Sequence, residues 1–197
     1  PGVLSAAGGG GLAGVAGDEL YAYVQARDVD DMWIRGGGNN DFGAVVSRVG
    51  ATVPGYSSRT VCEAAFVTAL DLYEVVCALP NYEAGAFELA VSLDDTETVG
   101  ASPLSVEIDC PNGFVKLDGL CQCGPGTFLD RGAAECTACP VGTFSEQTTM
   151  RDVVACRKCT HYVEGADITA SPGATSPEAC ICSKAYYLSW IGDDSKD

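Results

Sequence analysis

Histidine is almost missing from this chain: His161 is the only one in 197 residues. Imidazole is the usual acid–base group near neutral pH, and no serine or cysteine here is set in a recognisable nucleophile–base pattern. His161 itself sits in CTHYVEG, inside a cysteine-dense region that would compete for a thiol. No catalytic constellation is outlined, so an enzyme is not expected, nor a cofactor. Basic residues are scarce too, with 11 Lys and Arg against 27 Asp and Glu and a formal net charge of −16. Nucleic acid and anionic membrane both need clustered Lys and Arg, so neither is an expected partner, whereas cations and basic surfaces suit the charge. No apolar run reaches membrane-spanning length, and direct membrane insertion of this segment is not expected. Asn39, Asn40, Asn81 and Asn112 all lack the Asn-x-Ser/Thr context, which removes N-glycosylation. The sequence opens on Pro1 without a basic leader and apolar run, and reads as a processed or excised piece of something longer.

Cysteine, by contrast, is abundant and unevenly placed. Cys62 and Cys77 are the two in residues 1–109, and nine more follow between Cys110 and Cys182. Charge shifts at the same place: 4 basic and 16 acidic side chains before residue 110, 7 and 11 after it. Two domains are expected, 1–109 and 110–197, with a border near Asp109. Cysteine at this density belongs to an oxidising compartment, where disulfides replace a core that is too small, so the chain is placed outside the cytosol.

The first half raises the question of its glycines. Gly9, Gly11 and Gly14 satisfy G-x-G-x-x-G by position, but the following DELYAYVQARD alternates with period two, which is a strand where a dinucleotide loop requires a helix. Further strand-like segments run over Phe42–Arg48, Val61–Phe66, Tyr73–Cys77, Phe87–Leu93 and Pro103–Ile108, with turn residues between them. The pattern predicts an antiparallel, immunoglobulin-like β-sandwich. Residue numbers 62 and 77 total 139, as do 64 with 75 and 66 with 73. A hairpin turning at Thr68 to Asp71 therefore sets Cys62 opposite Cys77 on one face, disulfide-bonded or as two buried thiols.

GGGGLAGVAGDELYAYVQARD, GGGNNDFGAVV, LYEVVCALPNYEAGAFELAVSL and GASPLSVEI together resemble the filamin-type immunoglobulin repeat over residues 3–108. The glycine run then reads as a first strand and its turns. Leu72 stands where that family usually has Gly, Ala101 is inserted before Ser102, and a disulfide is foreign to cytoplasmic filamins, which counts against an intracellular actin-linked role. The resemblance also implies a docking edge at the third strand, here Phe42, Ala44, Val46 and Arg48, where a partner strand would satisfy open backbone groups.

The second half repeats a unit that begins at cysteine: CPNGF at Cys110, CGPGTF at Cys123, CPVGTF at Cys139, CTHY at Cys159 and CSKAYY at Cys182. Closing cysteines follow at Cys121, Cys136, Cys156 and Cys180, so the sequential pairs Cys110–Cys121, Cys123–Cys136, Cys139–Cys156 and Cys159–Cys180 are expected. Cys136, Cys139, Cys156 and Cys159 also have the C-x2-C-x16-C-x2-C spacing of a zinc ribbon, although zinc leaves the repeated openings unexplained. Only fifteen of the 73 residues from Cys110 to Cys182 are large and apolar, too few to hold a fold by burial. An elongated, disulfide-rich repeat rod is the expectation. CPVGTFSEQTT and SPGATSPEACIC resemble the cysteine-rich repeats of ephrin-receptor-like and tumour-necrosis-receptor-like ectodomains. Cys182 opens a unit with no closing cysteine, and its partner is expected downstream of Asp197 or on another chain.

Asp28, Asp30, Asp31, Asn39, Asn40 and Asp41 carry oxygens that suit calcium, but they lack EF-hand spacing and read more simply as a solvated acidic turn, so no metal is assigned. The combined expectation is mainly β structure in an extracellular segment of a larger surface or filament protein, acting as a spacer and assembly module. Its partners would be proteins, including copies of itself. Similar domain combinations occur in large surface proteins of algae and other protists, and the Ala, Gly and Val content suits a GC-rich genome such as a green alga's; a ciliary or cell-wall filament follows by resemblance. An adhesion or receptor ectodomain that binds a protein ligand is the second reading.

Overall fold

The computed structural model describes residues 3–5, 12–26, 30, 32–33, 42–50, 55, 59–93, 97–98, 102–149, 153–162 and 164–182. Most of the acidic-turn candidates, Asp28, Asp31, Asn39, Asn40 and Asp41, fall outside them, as do Gly9 and Gly11. The chain divides into two compact units, one of residues 1–111 with 116–121, the other of 112–115 with everything from Gln122 onward.

The first unit is built from β1 (Val3–Ser5), β2 (Leu12–Val15), β3 (Glu19–Gln25), β4 (Phe42–Arg48), β5 (Arg59–Val67), β6 (Leu72–Ala78), β7 (Gly85–Leu93), β8 (Glu97–Thr98) and β9 (Leu104–Asp109). The hydrogen-bonded order is β1-β3-β6-β5-β4-β7-β9-β2, with β8 beside β7. All pairings are antiparallel except β2 on β9. Alternation decides which residues turn inward. Leu20, Ala22 and Val24 of β3, Phe87, Leu89 and Val91 of β7, and Val106 and Ile108 of β9 are buried, while their neighbours in sequence are not. Phe42 of β4 meets Tyr73 of β6 edge-on at 4.6 Å, and Phe66 meets the same tyrosine at 5.1 Å, so the aromatic contacts join the inner faces of the sandwich. Gly14 sits where a Cβ would lie 2.4 Å from Leu79 Cδ1, and the bare backbone of β2 is what admits that buried leucine.

β5 explains how one strand path serves two sheets. Its first residues pair with β4, from Arg59 opposite Ser47 to Cys62 opposite Ala44. From Glu63 onward it pairs instead with β6, through Phe66 opposite Tyr73. This arrangement corrects the expected docking edge. β4 has β5 on one side and β7, in register from Phe42–Leu93 to Arg48–Phe87, on the other. The backbone of Ala44 and Val46 is therefore occupied on both sides, and both side chains point into the core. The crossing of β5 is the physical reason, because it closes the side of the third strand that the resemblance would leave open.

The second unit consists of short two-stranded pieces. Straddling the two units, β10 (Phe114–Leu117) and β11 (Leu120–Cys123) form a hairpin. β12 (Thr127–Asp130) pairs with β13 (Glu135–Ala138), β14 (Thr143–Phe144) with β15 (Arg157–Lys158), and β16 (Ile168–Thr169) with β17 (Cys180–Ile181). Three single turns of 3₁₀ helix, at Val153–Ala155, Cys159–His161 and Pro177–Ala179, complete it. Its buried cluster is small: Phe144, Cys159, Ala166 and Cys180, with Ala174 against them. Among the described residues no helix is long and apolar enough to cross a membrane.

Candidate functional site

Ten of the eleven cysteines are joined in pairs. Cys62 and Cys77 are linked across β5 and β6 with Cα atoms 4.3 Å apart, at the point where β5 changes sheets. The other four bonds are Cys110–Cys121, Cys123–Cys136, Cys139–Cys156 and Cys159–Cys180, with Cα separations of 5.4 to 5.6 Å. The zinc-ribbon quartet is thus divided among three different disulfides, and among the described residues no group of three or more His, Cys, Asp or Glu could hold a metal. Cys182 is exposed and unbonded. His161 is exposed at the end of a 3₁₀ turn. Digesting the unreduced chain and mapping its peptides by mass is expected to return these five pairs; cross-linked peptides joining Cys136 to Cys156 would contradict them.

The repeated sequence unit is a repeated turn. In CGPGTF the Thr127 amide and hydroxyl both donate to the Gly124 carbonyl, at 3.2 and 2.7 Å. In CPVGTF the Thr143 amide and hydroxyl donate to the Pro140 carbonyl, at 3.0 and 2.7 Å. The glycine three residues after each opening cysteine has positive φ: 88° at Gly113, 77° at Gly126 and 84° at Gly142. That conformation at the third turn residue is what makes glycine part of the motif. At Gly126 and Gly142 the glycine carbonyl then receives the opening cysteine of the next unit, since the Cys139 amide donates to Gly126 O at 2.8 Å and the Cys159 amide to Gly142 O at 2.9 Å, whereas the Cys123 amide donates to Thr149 O. The Cys159 unit lacks Pro-x-Gly, and its equivalent position, Tyr162, has φ −120°. There the ring stacks edge-on against Phe144 at 5.2 Å instead.

The two glycines in the array are also sterically confined. A Cβ on Gly142 would lie 2.7 Å from the Asp167 carbonyl oxygen, and one on Gly126 would lie 2.4 Å from that of Gly173, whereas one on Gly113 meets nothing within 4 Å. Gly113→Ala is therefore expected to cost about 1 kcal/mol, for the left-handed φ alone. Gly142→Ala is expected to cost upward of about 2 kcal/mol, because backbone must also move. Chemical denaturation of the two variants checks the difference, and equal losses would contradict the crowding.

Arg48, the last of the residues expected at a docking edge, does something different. Its guanidinium lies between the Glu83 carboxylate at 3.5 Å, the Ala84 carbonyl at 3.0 Å and the Gly119 carbonyl at 3.4 Å, over the Phe87 ring at 5.3 Å. Its side chain is 10% exposed and that of Glu83 2%. Around it, residues 82–84 are laced to 119–121: the Ala84 amide donates to Gly119 O, the Cys121 amide to Tyr82 O, and Glu83 bridges Leu120. Nothing in the sequence marked this clasp, because Arg48, Glu83 and Gly119 are far apart along the chain. Arg48 does end an alternating strand at an inward-facing position, a place where a long cation is held only with partners.

The chain has relatives. Over 69 residues the chain is 35% identical to the sushi, von Willebrand factor type A, EGF and pentraxin domain-containing protein 1 of Mus musculus, a match covering 35% of this chain and 2% of that protein. Over 77 residues it is 31% identical to cysteine repeat modular protein B of Toxoplasma gondii, covering 39% of this chain and 1% of the relative. Among solved structures, the Lin-41 filamin domain aligns at 18% identity and a TM-score of 0.37, over 54% of this chain and 90% of that domain. Residues 126–180, which hold the Cys139 turn and three of the array's disulfide-bonded loops in whole or part, match the profile of the tyrosine-protein kinase ephrin type A/B receptor-like family.

Proposed function

We propose that the chain is an extracellular segment of a larger surface or filament protein, in which the immunoglobulin-like sandwich makes protein contacts and the cysteine-rich module spaces them. The observation that carries this reading is the disulfide array: from residue 122 on, three cystines surround one small buried cluster, and such a fold persists only where thiols stay oxidised. A ciliary or cell-wall surface filament is the finer form of the proposal. The relatives support the modular part of it, since the match occupies 1 to 2% of each. Producing the whole chain through a secretory route and, separately, in a reducing cytosol tests the reading. A folded chain with five cystines is expected only from the first, and a folded thiol form from the cytosol would overturn it. Electron microscopy of the parent assembly separates the roles: ordered polymers support a structural segment, isolated ectodomains an adhesive one.

A further inference from the structure

The outer face of β3, β6 and β5 has no layer over it among the described residues, and its chemistry is unusual for this protein. Reading across the strands in register, Tyr21 of β3 lies opposite Val76 of β6, which lies opposite Glu63 of β5; one pair along, Tyr23 lies opposite Glu74, which lies opposite Ala65. Glu19 precedes the first tyrosine on the same face. Tyr21 donates its hydroxyl to Glu19, and Tyr23 to Glu74 at 3.1 Å, so both rings are fixed beside carboxylates. Tyr21 is 49% exposed. None of the outward residues of β3 and β6, or of β5 from Glu63 onward, is Lys, Arg or His; the exposed Arg59 begins β5 four residues earlier, where that strand pairs with β4. Elsewhere the structure does neutralise its acids: Arg48 meets Glu83, Lys116 meets Glu107 and Asp109, and Arg157 meets Glu146, all off this face.

We propose that this face docks an extended, Lys- or Arg-bearing segment of a partner protein, an inference that rests on reading the sandwich as a protein-contact module. Three carboxylates and two tyrosine rings with no cation among them match the ammonium or guanidinium groups of such a segment, whose stems would cover Val76 and Ala65. The phenols report the same field. Both Tyr21 and Tyr23 hold their protons to higher pH than a free tyrosine, first because each donates to its glutamate and then because of that glutamate's charge. A second copy of this chain is the wrong occupant, since it would bring the same carboxylates and a net charge of −16.

The test uses the whole oxidised chain and a short synthetic peptide that alternates Lys with Thr, followed by amide NMR at physiological salt, with a Gln-for-Lys peptide as control. Shifts are expected along 19–25, 63–67 and 72–78 with the Lys peptide alone. The variant with Glu63→Gln and Glu74→Gln should bind about tenfold more weakly. Removing two charges elsewhere, by Glu88→Gln with Glu178→Gln, should change affinity by no more than about twofold. Tyr21→Phe should keep the binding that Tyr21→Ser loses, because the ring face remains. No binding, equal loss in the two charge variants, or shifts confined to other residues would overturn the proposal. So would shifts at this face on concentrating the chain alone, which would make a second copy the occupant. Any of these in a chain with five cystines overturns the face alone, whereas a chain that folds with free thiols overturns the extracellular reading beneath it.

Discussion

Replacing Arg48 by Met is expected to destabilise the sandwich by about 3 kcal/mol, the cost of breaking a buried ion pair from one side. Met preserves much of the volume over Phe87, so the loss comes from charge and not from a cavity. The guanidinium serves Glu83, Ala84 O and Gly119 O together, and its removal strips three acceptors of a donor in a place where water scarcely reaches. Adding Glu83→Gln to Arg48→Met should return part of the stability, because the remaining buried group is then neutral. Urea unfolding of the single and double variants measures both quantities. A double variant no better than Arg48→Met would show that the carboxylate is not what suffers. The same clasp makes a cut after Asp109 costly, since that piece lacks Gly119 and the Cys121 amide that reaches Tyr82. A piece ending beyond Cys121 should be measurably more stable.

Reduction should have a still larger effect on residues 126–180. Loop closure assigns each of Cys123–Cys136, Cys139–Cys156 and Cys159–Cys180 about 3 kcal/mol, and the cluster around Phe144 is too small to compensate for losing all three. In a strong reductant the amide resonances of this segment are expected to collapse to random-coil positions while those of β7 and β9 stay dispersed. The sandwich retains a layered core of Phe87, Leu89, Val91, Val106 and Ile108 that owes nothing to sulfur. Unchanged resonances in both halves would show that burial alone holds the cysteine-rich module.

What the sequence made legible were local periodicities. The strand of DELYAYVQ, the hairpin register that totals 139 and the lengthening cysteine units are each written within a few dozen residues, and each appears in the structure at those positions. The sheet exchange of β5 was not legible, because a strand's alternation is the same whichever neighbour it pairs with. Placing the third strand at an edge failed for that reason. The clasp was hidden more deeply: Arg48 reads as one polar residue ending a strand, and Glu83 and Gly119 read as turn residues, until the fold brings them within hydrogen-bonding distance. The tyrosine–glutamate face needed the cross-strand register, since no single strand carries it whole.

The glycine turns have an evolutionary consequence. The units opened by Cys110, Cys123 and Cys139 all carry a glycine of positive φ three residues on, yet their cystine loops span 11, 13 and 17 residues in chain order. Doubling a loop's length adds only about 0.6 kcal/mol of closure entropy, while a residue inserted between the opening cysteine and its glycine would shift the carbonyl that the next unit needs. Insertions and deletions should therefore accumulate between the turn and the closing cysteine, leaving the joints conserved in spacing while the loops vary freely in length and surface.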